Sequence, residues 1–579
     1  MLKYQQEALE QERPGATVVP ILLSTDKTQL TSFRNKSAYP LYLTIGNIPK
    51  EIRRKPSLRA YVLLAYLPTT RLENVANKAQ RRRMINNLYH SCMHKILEPL
   101  EVAGISGINM STGSGNVHRN HPIFAGFIGD YPEQILSSGG ITGECPSCEA
   151  PRDKLGESDI YPNRDLEAVL EVLDSFETDP AGFLQACSEA GIKPLVNPFW
   201  KNLPYADIYR SIMPDVLHQL YQGIVKHMVN WVTETCGSEE IDARCRRFPL
   251  NHNLRHFNKG ISSLSCVTGQ EHDQMCRILM GLVLDCRLPQ GFSNVRLIRV
   301  VRALLDFVYL AQYPIHTDKT LVLLEDALHK FHENKSIFVD LGIRDSFNLP
   351  KLHFAKHYVE RIKLFGTTDN YNTEYTERLH IDLAKHAFAA TNFKDEFTQM
   401  TIWLERKEKV HRHEQYIQWR QDGSPLIVQK KWSPPGLELD RALSIAKHPN
   451  ASMYLDSIEL DYGAHNFRTA LRRYIVIANR GRMAPAQLER TLWDIRLPFR
   501  RLPVWHRLKF LRLDPTTNVE QTADSIHAHP ARKDSRGRTI PGRFDTALIN
   551  DGTGEDTGLH GELNSFYSKS ITNLFQDTA

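Results

Sequence analysis

The chain lacks a long hydrophobic run, since no uninterrupted apolar stretch among its 579 residues reaches the ~18 needed to cross a bilayer. We therefore expect no membrane partner. The polar opening MLKYQQEALEQERPG has no apolar core, so we expect no secretory signal peptide. Nine scattered cysteines do not form a disulfide framework and fit a reducing cytosol or nucleus. The sequence has no internal repeat, no helix-turn-helix motif and no complete zinc finger.

The composition is that of a folded protein, with 41% hydrophobic and 24% charged residues. Its length suggests about two to four domains, because a single hydrophobic core stops growing well below this size. The net charge of +6 is a mild positive excess. This excess is compatible with a nucleic-acid partner and does not by itself demand one.

Short apolar runs near the start predict three β-strands, at residues 18–30, 38–48 and 59–67. Helical spacing of apolar residues from Asn74 to Leu100 then predicts one long helix, and residues 121–130 predict a fourth strand. Asp26 lies near the end of the first strand and Asp130 ends the fourth. This order is similar to that of the ribonuclease H-like fold, in which those two strands are neighbours. The two acids are therefore expected to lie together.

Glu377 lies in the segment 372–388, whose Thr/Glu start and apolar spacing predict a helix. Carboxylates brought together by two strand ends and a helix repel one another, so they require cations between them. Mg²⁺ or Mn²⁺ suits such oxygen ligands. Glu374 lies one helical turn earlier on nearly the same face and is the alternative third acid.

The apolar spacing changes after Arg152, and residues 160–365 are predicted to form a mostly α-helical insertion. The predicted fold is mixed α/β, with a ribonuclease H-like core that this insertion interrupts. The other parts are a lead-in at 1–17, the first part of the core at 18–159, its C-terminal helical part at 366–422, and a mixed, partly loop region at 423–579.

Several strings in the chain resemble those of a known family. They are STDKTQL (24–30), YPLYLTIGNI (39–48), GDYPEQ (129–134), CPSC (145–148), PDVLHQLYQGIVKH (214–227), LRHFNKGISSLSCVTG (254–269), PKLHFAKHY (350–358) and NTEYTERLHIDLAKHAF (372–388). Together they resemble the Plavaka transposases, mobile-element proteins abundant in mushroom-type fungi and related to the CACTA and Kyakuja–Dileera–Zisupton groups. The resemblance runs from about Val18 to Ile549. Full-length relatives carry more sequence before the first strand, so we expect this chain to be N-terminally short.

The resemblance implies a DDE-type DNA transposase that cleaves and transfers DNA strands with Mg²⁺ or Mn²⁺. It implies nuclear action on double-stranded DNA, at transposon ends and target, by a homo-oligomer. Matched to the family's strings, Asp26, Asp130 and Glu377 would be the catalytic and metal-binding acids. Glu377 is preferred to Glu374 because ERLH resembles the ER-aromatic-Ser string that carries the acid in hAT transposases.

Asp215 and His218 form a D-x-x-H pair that resembles the C/D-x-x-H string of several transposase superfamilies. Three residues apart on a helix, they share a face, so the carboxylate can orient the imidazole toward a phosphate or a base. The alternative is that Asp215, after Pro214, only favours the dipole at the start of a helix.

Cys145 and Cys148 have the C-x₂-C spacing of a zinc half-site. Two further ligands are needed, and His118 and His121 are the candidates nearest in sequence. The alternative is a pair of reduced cysteines in a tight turn. His353 and His357 are candidates for contact with DNA or a metal, although a packed or surface histidine pair is the simpler interpretation.

Arg255, His256 and Lys259 are the preferred DNA-binding residues, because the aromatic and glycine residues beside them allow close approach of DNA. Weaker basic candidates are Arg53–Lys55, Arg81–Arg83, and Arg472 with Arg473. The alternative function is a domesticated or decayed transposon-derived protein that binds DNA without cutting it. A host nuclease is a third possibility.

Overall fold

A five-stranded mixed sheet forms the centre of the first part of the chain. Its strands are β1 (Thr17–Thr25), β2 (Pro40–Ile45), β3 (Val62–Tyr66), β4 (Ile108–Ser111) and β5 (Val117–Ile128), in the order β3-β2-β1-β5-β4. The computed structural model describes residues 16–31, 36–111, 117–249, 254–423, 442–480, 485–513, 520–533 and 537–544, with residues 6, 7, 9, 11 and 251. The chain divides into two units, residues 1–428 and 429–579.

The central strand β1 is almost entirely buried, which its sequence TVVPILLST favours. It pairs antiparallel with β2 and parallel with β5. The pairing with β5 shifts by one residue between Ile21 and Leu22, so Ile21 pairs with Phe124 and Leu22 pairs with Gly126. Ala125 is the extra residue. Beyond this shift, Ser24 pairs with Ile128.

After the one-turn helix α1 (Lys50–Arg53), the long helix α2 (Lys78–Ser106) buries Tyr89, Met93 and Leu97 in the core that also holds Phe124 and Phe127 of β5. The helix begins later than the sequence predicts because the Asn77 side chain caps it, accepting from the backbone N–H groups of Ala79 and Gln80. It continues past Leu100 to Gly107, whose φ of 73° ends it.

Between residues 160 and 365, the regular elements of the described residues are helices. Helix α3 (Tyr131–Ser138) precedes this block and directly follows β5. The others are α4 (Leu166–Thr178), α5 (Phe183–Glu189), α6 (Ile208–Ser211), the π-helix Val216–Val225, α7 (Lys226–Cys236), α8 (Ser238–Arg247), α9 (Gly269–Val283), α10 (Val295–Ala311), α11 (Asp318–Asn334), α12 (Ile337–Asp340), α13 (Pro350–Phe354) and α14 (Tyr358–Phe365). Phe307 and Phe331 are buried where α10 packs on α11. The prediction of a mixed α/β fold is confirmed.

The helix that carries Glu377 is α15 (Thr373–His380), and the π-helical turn Ile381–Lys385 continues it. Two more helices follow, α16 (His386–Ala389) and α17 (Glu396–Gln421). The Asn372 side chain caps α15 by accepting from the backbone N–H of Glu374. Buried Leu379 packs with Tyr42 of β2, so this helix lies against the sheet.

The second unit is mixed α/β as well. Its strands are β6 (Ala442–Ile445), β7 (Ala451–Tyr454), β8 (Arg501–Val504), β9 (Arg507–Leu513), β10 (Glu520–His529), β11 (Arg532–Lys533), β12 (Thr539–Ile540) and β13 (Arg543–Phe544), and its helices are α18 (Leu455–Asp461), α19 (Phe467–Arg480) and α20 (Pro485–Asp494). One sheet has the order β13-β10-β9-β6. Among the described residues, no helix has the length and apolar character that crossing a membrane requires.

Candidate functional site

Asp26 and Asp130 lie level with each other at one edge of the sheet. Each comes two residues after the paired positions Ser24 and Ile128 of the parallel strands β1 and β5. The carboxyl ends of neighbouring parallel strands meet at the same edge, so these side chains share it. Asp130 also caps α3, where its Oδ1 accepts from the backbone N–H of Glu133 at 3.1 Å.

A third chain segment reaches the same edge in the same direction. Ile212 forms a parallel bridge with Phe127 of β5, and the Met213 N–H donates to the Phe127 carbonyl at 3.1 Å. Asp215 follows and is fully buried. Its Oδ2 lies 2.7 Å from His218 Nδ1, and its Oδ1 accepts from Thr373 Oγ1 at 2.7 Å. Its side chain makes no capping hydrogen bond, so it orients His218 instead.

Glu377 joins this edge from helix α15. Its Oε1 lies 3.0 Å from His218 Nε2, so the imidazole of His218 bridges the carboxylates of Asp215 and Glu377. Glu374 is exposed and lies in the first turn of the same helix. The contact with His218 distinguishes Glu377 from Glu374.

The charges of these groups influence one another strongly. Burial raises the pKa of Asp26 to about 7, and the negative charges of Asp130, Glu133 and Glu377 act in the same direction. Burial also raises the pKa of Asp130. Burial alone would lower the pKa of His218, but its hydrogen bonds to Asp215 and Glu377 outweigh this and raise the pKa to about 10.

Two residues that the sequence analysis did not single out also lie here. Glu133 is buried and accepts from Thr25 Oγ1 and Tyr39 Oη, both at 2.5 Å. Burial raises its pKa to about 7. His380 is buried, with its Nδ1 4.0 Å from Asp26 Oδ2. Glu133 belongs to the string GDYPEQ and His380 to the string ERLH. Membership in these two strings was the sequence signal that could have identified them as site residues.

A chain of buried amides joins the Asp130 segment to the Asp215 segment. Gln134 Nε2 donates to the carbonyls of Gly129 and Met213 at 2.9 and 3.0 Å. Gln219 Nε2 donates to Gln134 Oε1 at 3.2 Å, and the Asp215 N–H donates to Gln219 Oε1 at 3.0 Å. Since both glutamine side chains are fully buried, their hydrogen bonds fix the two acidic segments relative to each other.

Cys145 and Cys148 meet His353 and His357 in a separate buried cluster. Cys148 Sγ lies 3.1 Å from His353 Nε2, and Cys145 Sγ lies 3.4 Å from His357 Nε2. Within the described part of the chain, this is the one group of three or more candidate metal ligands whose atoms all lie within 4.8 Å of one another. Asp26, Asp130 and Glu377 do not belong to this group.

The nearer histidines do not complete this half-site. His118 is exposed and paired with Met110 between β5 and β4, and His121 is buried with its Nδ1 2.9 Å from the Gly104 carbonyl. His353 and His357 are not a surface pair, because both are buried against the cysteines. Their i, i+4 spacing was the signal that linked them to a metal site.

The preferred basic residues lie in the loop before α9. Arg255 and Lys259 are exposed, and His256 is half-buried. Arg255 pairs with Glu271 and stacks on Phe257 at 5.2 Å from the ring centroid. Arg53 is buried and donates to the Asn370 carbonyl and Oδ1 at 2.9 Å, so its role is structural.

The remaining weaker candidates differ in exposure. Arg54 and Arg82 are exposed, whereas Arg81 donates to the Val75 carbonyl. In the second unit, Arg473 pairs with Glu489.

Residues 2–232 match the model of a transposase family. Transposases as a class act on DNA as nucleases and transferases, generally with divalent metal ions. For this class, action on DNA implies a nuclear location. The family is described as Plavaka transposase, so the resemblance drawn from the sequence strings is confirmed for residues 2–232. No curated protein matches the chain.

Proposed function

We propose that this chain is a DDE-type transposase that cleaves and joins DNA strands, with Asp26, Asp130 and Glu377 as its catalytic acids. The observation that carries the proposal is the parallel pairing of β1 with β5, which sets Asp26 and Asp130 level at one edge. Helix α15 adds Glu377 at that edge, held by His218. Glu374, exposed one turn earlier, is the alternative third acid.

A ribonuclease H-like core is supported by the sheet order β3-β2-β1-β5. Beside the carboxyl end of β5, beyond the part of β5 that pairs with β4, Ile212 forms a parallel bridge with Phe127. This bridge extends the sheet order β3-β2-β1-β5 by one short parallel segment. In this proposal, residues 18–159 and 366–422 form the core, and 160–365 form an insertion between Asp130 and Glu377. Residues 1–17 precede the core and 423–579 follow it.

The acids fit a divalent cation chemically. Their oxygens are the ligands that Mg²⁺ and Mn²⁺ prefer, and their mutual repulsion favours a bound positive charge. Asp26, Asp130 and Glu377 would hold the ions, which when bound supply an activated water and stabilise the leaving 3′ oxygen. The protein's own part is positional: Thr373 donates to Asp215, Asp215 orients His218, and His218 holds Glu377.

The test of this function is strand cleavage by the purified full chain. A supercoiled plasmid with Mg²⁺ or Mn²⁺ should become nicked, and a chelator should stop the reaction. Joining of a labelled 3′-hydroxyl duplex to the plasmid would report strand transfer. Tight DNA binding without cleavage in either metal would overturn the catalytic proposal and favour the domesticated, DNA-binding alternative.

DNA binding is proposed to use the exposed loop that carries Arg255, His256 and Lys259, with Asp215 and His218 in an accessory role near the acids. Arg255→Ala combined with Lys259→Ala should weaken binding at low salt. It should also make the slope of log K against log[salt], where K is the association constant, shallower by about 2. The reason is that each phosphate contact contributes about 0.9 to this slope and the variant removes two contacts. Fluorescence anisotropy with a labelled duplex measures both quantities.

The matched control removes two other exposed basic residues, Arg302 and Lys330, each paired with an acid on its own helix. Arg302→Ala with Lys330→Ala should leave the salt slope unchanged. Equal changes in both double variants would mean that general charge, and not this loop, determines DNA binding.

A further inference from the structure

The cluster of Cys145, Cys148, His353 and His357 has the chemistry of a closed structural metal site. Two thiols and two imidazoles supply four ligands in the Cys₂His₂ combination that zinc prefers. All four side chains are buried, and the cysteines are not joined in a disulfide. Burying four polar groups around one point is costly unless they share a partner.

The distances fit one ion. Tetrahedral zinc, with Zn–S of about 2.3 Å and Zn–N of about 2.0–2.1 Å, separates its ligand atoms by about 3.3–3.8 Å. The sulfur-to-nitrogen distances of 3.1 and 3.4 Å lie close to that range, and all four atoms lie within 4.8 Å of one another. The Ser147 N–H, 3.5 Å from Cys145 Sγ, is directed at the thiolate that such a site requires.

Each half of the cluster is built by local structure. The cysteines lie in the loop after α3, which pairs with the chain near Asn163 through the Arg164 N–H and the Ser147 carbonyl at 2.9 Å. His353 lies on α13, and His357 ends the 3₁₀ turn that follows. A pocket of about 410 Å³ is lined in part by both histidines.

The site joins distant segments that lead to the acids. The cysteines follow α3, whose N-terminal cap is Asp130. His353 lies 205 residues after its partner Cys148, and His357 lies 212 residues after its partner Cys145. Lys351, on the same helix as His353, donates to the His218 carbonyl at 2.9 Å. Fixing α13 therefore also fixes the backbone of His218, which contacts Glu377.

We infer that Cys145, Cys148, His353 and His357 bind one zinc ion. This ion fastens the segment after Asp130 to helix α13, whose Lys351 donates to the backbone carbonyl of His218. Zinc binding itself is independent of the proposed function, and only its positioning of His218 rests on that function. The ion would have a structural role, because four protein ligands leave no open position for a substrate.

The first measurement is the metal content of the purified full chain by mass spectrometry, with the expected result of about one zinc per chain. Protein produced with Co²⁺ should show the ligand-field absorption of tetrahedral cobalt and a thiolate charge-transfer band. Removal of the metal by a strong chelator should lower the midpoint of thermal unfolding by about 5 °C or more. Absence of both zinc and the cobalt spectrum in the wild type would overturn the inference.

Cys148→Ser should reduce bound zinc to below about a tenth of an equivalent, while His353→Cys should retain it as a Cys₃His site. The matched control is Cys187→Ser, which alters another fully buried cysteine in the helical block and should keep its zinc. If Cys148→Ser does not fold, the wild-type content and the His353→Cys variant still decide the question. Full zinc in a soluble Cys148→Ser protein would contradict the assignment.

The readouts separate this inference from the catalytic proposal. Asp26→Asn should keep zinc even where it loses cleavage. A wild type that contains zinc and never cleaves DNA would leave the metal site intact and remove the proposed function. A wild type that cleaves DNA and contains no zinc would support the proposed function and overturn the inference of a zinc site.

Discussion

Asp26→Asn and Asp130→Asn are each expected to reduce DNA cleavage by about a thousandfold. An amide keeps the shape of the carboxyl group but loses the charge that holds a divalent cation. Since the metal contributes several kcal/mol of transition-state stabilisation, a loss of ~4 kcal/mol corresponds to about three powers of ten. The rate of plasmid nicking under single-turnover conditions in Mg²⁺ and in Mn²⁺ measures the effect.

Folding and DNA binding should survive these substitutions. Asp26 lies among the negative charges of Asp130, Glu133 and Glu377, so a neutral amide removes repulsion and should not lower the thermal midpoint. The control is Asp326→Asn, which alters a partly exposed acid paired with Lys330 on α11 and should cleave at the wild-type rate. Cleavage that persists in both site variants would indicate a contaminating nuclease or another active site.

The second large effect is expected at the third acid. Glu377→Gln should reduce cleavage by at least about a hundredfold, whereas Glu374→Gln should change it by less than about threefold. The reason is geometric: Glu377 contacts His218 at the sheet edge, while Glu374 is exposed one turn earlier. The two variants have the same chemistry on the same helix, so each is the control for the other.

The same nicking assay compares these variants, with DNA affinity measured in parallel. A large loss in Glu374→Gln with a normal Glu377→Gln would transfer the catalytic assignment to Glu374. Equal losses in both would show that the face of α15, and not one carboxylate, is required.

The sheet could be predicted well from the sequence because its strands are short, apolar and rich in β-branched residues. Residues 18–30 contain β1 except Thr17, and residues 121–130 contain the buried half of β5. The ends of helices and strands were harder to predict, since each end depends on single contacts. The cap at Asn77 and the positive φ of Gly107 set the limits of α2, and apolar spacing does not contain that information.

The neighbouring positions of Asp26 and Asp130 could be predicted from the order of the strands, but the rest of the candidate site could be predicted only where one string contained its own signal. The D-x-x-H pair of Asp215 and His218 is local: Asp215 lies at the N-cap, just before the π-helix, and its Oδ2 is 2.7 Å from His218 Nδ1. The union of Cys145 and Cys148 with His353 and His357 is not local, because it depends on how the helical block folds back. Charge patterns likewise do not reveal that Arg53 is buried against Asn370.

The single extra residue in β5 has a consequence for how mutations in this gene should be tolerated. Ala125 is the residue at which the pairing of β1 and β5 shifts, and only after it do Asp26 and Asp130 come level. Deleting Ala125 would leave an even ladder in which Leu22 still pairs with Gly126 and Ser24 with Ile128, so Asp26 and Asp130 would stay level. Among copies of the gene, an in-frame loss of this alanine codon should therefore preserve the pairing of the two acids, whereas a second inserted residue in this stretch, left unbulged, would displace Asp130 by one position and turn its side chain to the other face.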